Sequence, residues 1–205
     1  SGSLDFGTAG QLKRECVTEI AATLAFSAIQ NNDKIGVIFF SDHVEKYIPP
    51  KKGRKHILYL IREMLTFTPN SKKTDVGVGL EYLNKVVKRR CTAFVISDFY
   101  TRKDFSQELR ITNRKHDVVA IQVYDPRAKV MPDVGLLKVI DAETGHEMYV
   151  DTHDIRVRKA HNTYWEEREQ RLHDTLTQSH VDSVAIATND DYVKMLITLF
   201  LKRRR

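Results

Sequence analysis

Four short, almost wholly apolar runs, 35–40, 92–96, 118–124 and 184–187, recur along the chain with amphipathic stretches between them, and this alternation limits the fold more than any other feature. A run such as Ile35-Gly36-Val37-Ile38-Phe39-Phe40 needs cover on both faces, which a parallel sheet between two helical layers supplies. The order helix, strand, helix, strand therefore predicts an α/β fold: a mainly parallel sheet with helices on both faces.

The intervening segments fit this order. Leu12, Cys16, Ile20, Leu24 and Ala28 draw one stripe along a long, mostly buried helix over 10–30, which Asn31-Asn32-Asp33 ends. Val44 to Ile48 reads as a short strand that Pro49-Pro50 closes. Residues 54–66 form an amphipathic helix through Ile57, Leu58, Ile61 and Leu65. Thr74 or Asp75 caps the next one, through Val78, Tyr82, Leu83 and Val86. After a helix over 104–113 and the strand 118–124, the pattern changes. Gly135 to Asp141 and Glu147 to Asp151 flank the turn-rich 142–146, as in a β-hairpin. A charged helix over 157–179, a strand at 184–187 and a helix with Val193, Leu196, Ile197 and Phe200 inward complete the chain. Length allows one core with or without a small subdomain, and the absence of a long linker favours one continuous domain over 1–205. Residues 1–160 form its core, and 161–205 add a helix, strand and helix.

Composition narrows the function classes. Charged residues make up 29%, and no apolar run approaches the ~20 residues that span a bilayer. Residues 1–8 lack the basic and apolar regions of a signal peptide. Cys16 and Cys91 have no zinc-type spacing and read as small buried apolar groups, a usage that fits a reducing, cytoplasmic setting. The net charge of +6 comes from Lys51-Lys52-Arg54-Lys55, Lys88-Arg89-Arg90 and Lys202 to Arg205. These raise the question of a nucleic acid or acidic partner, but they lack interleaved aromatics, and two of them suit helix C-termini. There is no GxSxG elbow, no phosphate loop, no GxGxxG after a strand and no HExxH. Trp165 and Tyr164 read as core.

Ligands of an open parallel sheet bind beyond the carboxyl ends of its strands. Oxygen-bearing side chains stand at three such places: Ser1-Gly2-Ser3 before the first helix, Thr74-Asp75 opening a later one, and Asp98 after the strand ending Ile96-Ser97. Taken singly, each has a plainer reading: a capping turn, an N-cap and a solvated loop. Asp5 and Asp42 lie near the same rim, as solvated turn residues or as groups orienting water.

In order, Ser1, Ser3, Thr74 and Asp98 resemble the metal-ion-dependent adhesion site of von Willebrand factor A domains, with its Asp-x-Ser-x-Ser, distant Thr and later Asp. Residues 1 to about 160 resemble, more narrowly, the bacterial von Willebrand factor A-like proteins of domain-of-unknown-function family fifty-eight, which are encoded beside MoxR-type AAA+ ATPases. The segments that carry this are Ser1 to Gly7, Phe40-Ser41-Asp42, Ile48 to Arg54, Thr74-Asp75, Ile96-Ser97-Asp98-Phe99 and Asp141 to Gly145.

The resemblance implies a three-layer, Rossmann-like von Willebrand factor A fold. It also implies a non-enzymatic role: binding a partner through Mg²⁺ or Mn²⁺, the partner being a MoxR-type ATPase or its client, in assembly or maturation of other proteins. The Asp of the motif and the first, central strand would precede Ser1, so the expectation is a truncated site that holds its ion weakly or not at all. A slot between the neighbouring strands would then invite an oligomer contact. An Mg²⁺-dependent phosphohydrolase, or a nucleic-acid-binding module using the basic patches, are the alternatives.

Overall fold

The computed structural model describes residues 7–101, 103–140 and 146–203, with side chains from residue 13 onward. The long first helix α1 (Gly7–Gln30) leads into β1 (Ile35–Phe40), and β2 (Val44–Lys51) returns antiparallel to it. Helices α2 (Arg54–Thr66) and α3 (Val76–Val86) precede β3 (Thr92–Ser97); α4 (Ser106–Lys115) precedes β4 (Asp117–Tyr124). A short α5 (Pro126–Lys129) and the antiparallel pair β5 (Leu136–Ile140) and β6 (Glu147–Asp151) follow, then α6 (Ile155–Gln178), β7 (Asp182–Ala187) and α7 (Tyr192–Arg203).

Strands β3, β4 and β7 form a parallel sheet with β4 in the middle, in the registers Ala93↔Val118 and Val119↔Asp182. The pleat of β4 sends alternate residues to opposite layers. Val118 and Ala120 join a buried cluster with Val76 and Leu80 of α3, Leu109 of α4 and Leu176 of α6. Ile121 and Val123 join Cys16 and Ile20 of α1, Ile186 of β7 and Leu196 of α7. The sheet is thus covered on both faces, as the apolar runs require, and the stripe of α1 through Cys16, Ile20 and Leu24 is where the sequence puts it.

Among the described residues the expected mainly parallel sheet forms in part, as the three strands β3, β4 and β7. Among the described residues β1 pairs only with β2, the two make a separate ladder, and the hairpin β5–β6 makes a third. Residues of β1 are half-buried rather than enclosed, because one edge of the strand has no ladder partner there. One edge of β3 likewise has no ladder partner among the described residues. Even so, Phe40 of β1 and Val95 of β3 pack on the same cluster beneath α3, so the two ladders share a helical cover.

Three local readings need correction. Pro49 and Pro50 do not close β2, which runs through them to Lys51. The ladder shifts register between Ile35 and Val37, and Gly36 faces the prolines so closely that a Cβ there would lie 2.7 Å from the Ile48 carbonyl oxygen. Proline is tolerated because this is an edge strand with a bulge. Helix α2 buries Ile57 and Leu60 while Leu58 and Leu65 are exposed. Helix α7 buries Leu196 and Leu199 while Val193 and Ile197 are exposed, and the partly exposed Phe200 packs edge-on against Phe94 of β3. A broad apolar stripe leaves the orientation of a helix undetermined by one step; packing partners fix it.

Candidate functional site

The carboxyl ends of β1 and β3 and the amino end of α3 meet at one end of the molecule. Chain reversal after β1 leaves Ser41 fully buried, and its carbonyl accepts the Asp75 amide at 2.9 Å. That bond ties the start of α3 to β1. Asp75 is the N-cap: its Oδ1 accepts the Val78 amide at 3.4 Å, and its Oδ2 accepts from Lys103 Nζ at 2.7 Å. The Asp75 carboxylate raises the Lys103 ammonium above its ordinary range, because the pair favours the charged form. Thr74, next to this cap, is buried with it.

At the end of β3, Ser97 and Asp98 are both buried, Asp98 to 4% exposure. Asp98 Oδ1 accepts the Tyr100 amide at 3.1 Å and Ser97 Oγ accepts the Phe99 amide at 3.0 Å, so the two side chains shape the turn. Phe99, which follows them, has φ of 52°, a left-handed conformation unusual for a bulky residue. Its ring stacks on Phe105 with centroids 6.0 Å apart, and that burial holds the strained turn in place.

Two cations reach this turn from distant helices. Lys13 Nζ of α1 lies 3.4 Å from Asp98 Oδ2, and Arg168 Nη2 of α6 donates to the Asp98 carbonyl at 2.8 Å. The Arg168 guanidinium sits over the rings of Tyr100 and Trp165, at 4.6 and 4.7 Å. Burial draws it below its usual range, opposed by Asp98 and the neighbouring tyrosines. Tyr164 donates to the Tyr100 hydroxyl at 3.3 Å. The aromatic pair 164–165, expected in the core, therefore forms part of this rim: Arg168, one turn on from Tyr164, draws the rings toward the β3 turn.

On the β1 side, Ser41 Oγ donates to Glu45 Oε1 at 2.8 Å, and Glu45 also accepts the amides of Asn70 and Ser71 at 3.0 and 3.2 Å. Burial pushes the Glu45 carboxyl upward, but the donors outweigh it and the net displacement is downward. Asp42 pairs with His43 at 2.9 Å, which lowers the carboxyl and raises the imidazole.

Of the four residues singled out from sequence, Thr74 and Asp98 are thus buried at the same end of the molecule. Ser1 and Ser3 lie outside the described residues, as does Asp5. Sequence reading missed Lys13, Arg168 and Glu45. Lys13 and Arg168 are ordinary charges in amphipathic helices, and nothing in their spacing announces a partner 85 or 70 residues away. Glu45 carried a weak signal, as a charge inside a predicted strand. Among the described residues, no three His, Cys, Asp or Glu side chains form a metal cage.

A family model described as "Protein of unknown function DUF58" matches residues 1–171. The uncharacterized proteins Rv1480 of Mycobacterium tuberculosis and Mb1516 of Mycobacterium bovis are each 33% identical over 147 residues, 71% of this chain and 46% of theirs. The chain thus spans about half the length of the curated relatives it matches. Among solved structures, the conserved hypothetical protein BatB of Bacteroides thetaiotaomicron aligns with a TM-score of 0.58 at 13% identity, over 92% of this chain and 87% of that one. An aerotolerance-related membrane protein of Bacteroides fragilis gives 0.54 at 13% identity, over 90% and 88%. At such identity the likeness is one of fold. No helix among the described residues is long and apolar enough to cross a membrane.

Proposed function

The chain belongs to the DUF58 family, and from that premise we propose that it is a non-enzymatic domain that binds a protein partner through a divalent cation, Mg²⁺ or Mn²⁺, at the strand ends around Asp98. One observation carries the reading: a carboxylate only 4% exposed faces an ammonium at 3.4 Å. Burying a carboxylate is costly unless positive charge compensates it, so this turn is organised around a cation.

The donors fit a hard ion in kind. The Thr74 hydroxyl and the Asp98 carboxylate, with Asp75 beside Thr74, are oxygen ligands of the class such ions prefer. So small a set under-neutralises a divalent ion and leaves room for an acidic side chain from a partner. Lys13 must yield Asp98 for this to happen, which makes affinity low and tunable. The resemblance of residues 1 to about 160 points to a MoxR-type AAA+ ATPase or its client as the partner, in assembly or maturation of other proteins.

Calorimetric titration of Mg²⁺ and Mn²⁺ into the wild type, Asp98→Ala and Lys13→Met tests this. Weak saturable binding that Asp98→Ala abolishes and Lys13→Met tightens is the expected result. Indifference of the titration to both substitutions refutes the site. Turnover of phosphoesters with Mg²⁺ by the wild type, lost in Asp98→Ala, would replace the binding role with a hydrolytic one.

A further inference from the structure

The end of the molecule opposite Asp98 has a charge pattern that the sequence scatters and the fold collects. Lys34 precedes β1, whose first residue Ile35 pairs with Lys51 at the close of β2, so Lys51, Lys52, Arg54 and Lys55 lie at that same end. Helix α3 runs from the strand-end site toward this end; there Lys115 of α4 donates to the Asn84 carbonyl, and Lys88, Arg89 and Arg90 follow directly. Arg114 closes α4 just before β4. Lys202 is brought in by its neighbour Arg203, which pairs with Asp117 at 2.5 Å and Asp182 at 3.4 Å, the first residues of β4 and β7.

Lys34, Lys51, Lys52, Arg54, Lys55, Lys88, Arg89, Arg90, Arg114 and Lys202 are all exposed, and none forms an ion pair among the described residues. Against them stand Asp33, Asp117 and Asp182, the last two held by Arg203. The amino end of α2 also opens here, capped by Gly53 with no side-chain hydrogen bond, and adds its positive dipole. The carboxylates Asp75 and Asp98 at the other end are met by Lys103, Lys13 and Arg168, so unpaired positive charge gathers at the basic end.

We propose that this basic end is a docking face for an anionic membrane surface. The cations come from five separate chain segments and carry no interleaved aromatic platform, which suits a lipid headgroup layer better than a nucleic-acid strand. Leu201, 58% exposed and adjacent to Lys202, gives the face an apolar side chain to insert at the headgroup level. Docked in this way, the molecule turns the Asp98 end toward solution, where a protein partner reaches it.

Co-sedimentation with vesicles of phosphatidylcholine, with and without about one-third phosphatidylglycerol, tests the proposal at about 0.1 M salt. Lys51→Glu/Lys52→Glu/Lys55→Glu and Lys88→Glu/Arg89→Glu/Arg90→Glu each reverse three charges on the face. Lys72→Glu/Lys73→Glu/Lys159→Glu reverses three exposed charges elsewhere. Each set removes six units from +6, leaving zero net charge in every variant. Binding only to the anionic vesicles, lowered about tenfold or more by either face variant and retained by the third, is expected. Failure of the wild type to sediment, an equal loss in all three variants, or retention on duplex or single-stranded DNA but not on vesicles overturns it. Circular dichroism of each variant separates lost binding from lost fold.

Discussion

Replacing Gly79 by Ala should change the sign of its effect on stability according to what occupies position 40. A Cβ built on Gly79 lies 2.9 Å from Phe40 Cδ1, 3.0 Å from Cγ and 3.1 Å from Cε1. Carbon atoms rest at about 3.5 to 4.0 Å, so the methyl intrudes by roughly half an ångström on three ring atoms at once. Phe40 packs against the buried cluster under α3, and the ring has little room to retreat. Overpacking of this kind costs about 1–3 kcal/mol, while Ala in place of Gly inside a helix returns about 1 kcal/mol. The net is a loss of roughly 0–2 kcal/mol in the wild-type background. With Phe40→Leu the ring is gone, and the same Gly79→Ala change should stabilise by up to about 1 kcal/mol. Urea unfolding of the two single variants and the double variant measures the cycle. If Gly79→Ala stabilises equally in both backgrounds, α3 does not rest on Phe40, and the link from β1 to the Asp75 cap falls with it.

Other consequences can be checked as directly. His116 is fully buried and its imidazole lies below its ordinary value of 6.5, first because of burial and then because of Lys115 and Arg90. Its neutral form therefore contributes stability above pH 6.5 that is lost as pH falls through the folded value; urea midpoints from about pH 7.5 to about pH 5 should drop more in the wild type than in His116→Gln. Burial pushes the Cys16 thiol up to about 11, so native protein should resist a disulfide reagent at Cys16 near neutral pH, and labelling at the rate of an open thiol would contradict the packing of α1. Trp165 is the single tryptophan, so Arg168→Met should shift its emission and cost about 1–2 kcal/mol as the Asp98 carbonyl loses its donor; an unchanged spectrum would remove Arg168 from the rim. The edges of β1 and β3 that have no ladder partner among the described residues predict concentration-dependent association of the chain in light scattering, and a strictly monomeric protein would mean those edges are protected.

Much of the architecture was legible because its signals are local. Buried strands read as continuous apolar runs, and β3, β4 and β7 lie where those runs are, with ends displaced by one or two residues. The cap at Asp75 is a short side chain that competes for its helix's first amides; Asp125 and Asp154 cap α5 and α6 in the same way, though the sequence reading did not single them out. The hairpin β5–β6 followed from two strand-like segments around the turn-rich stretch 142–146, of which 142–145 lie outside the described residues. Less legible were properties that depend on what lies opposite. The prolines of β2 looked like a stop, because only the register of β1 and the absence of a side chain on Gly36 show that an edge strand can absorb them. The faces of α2 and α7 were read only in part for the same reason: Ile57 and Leu196 are buried as expected, while Leu58, Leu65, Val193 and Ile197 are exposed.

The sequence by itself determined the order of elements, the cover on both faces of the parallel strands, and the presence of hydroxyl and carboxylate side chains at strand ends, since periodicity and turn chemistry act within a few residues. Tertiary structure alone decided that β1 and β2 stand as their own ladder, that Lys13 and Arg168 converge on Asp98, and that basic residues from five chain segments share one end of the molecule. These are meetings between groups far apart in the chain. Their energies depend on distance and burial, and neither quantity exists until the chain has folded.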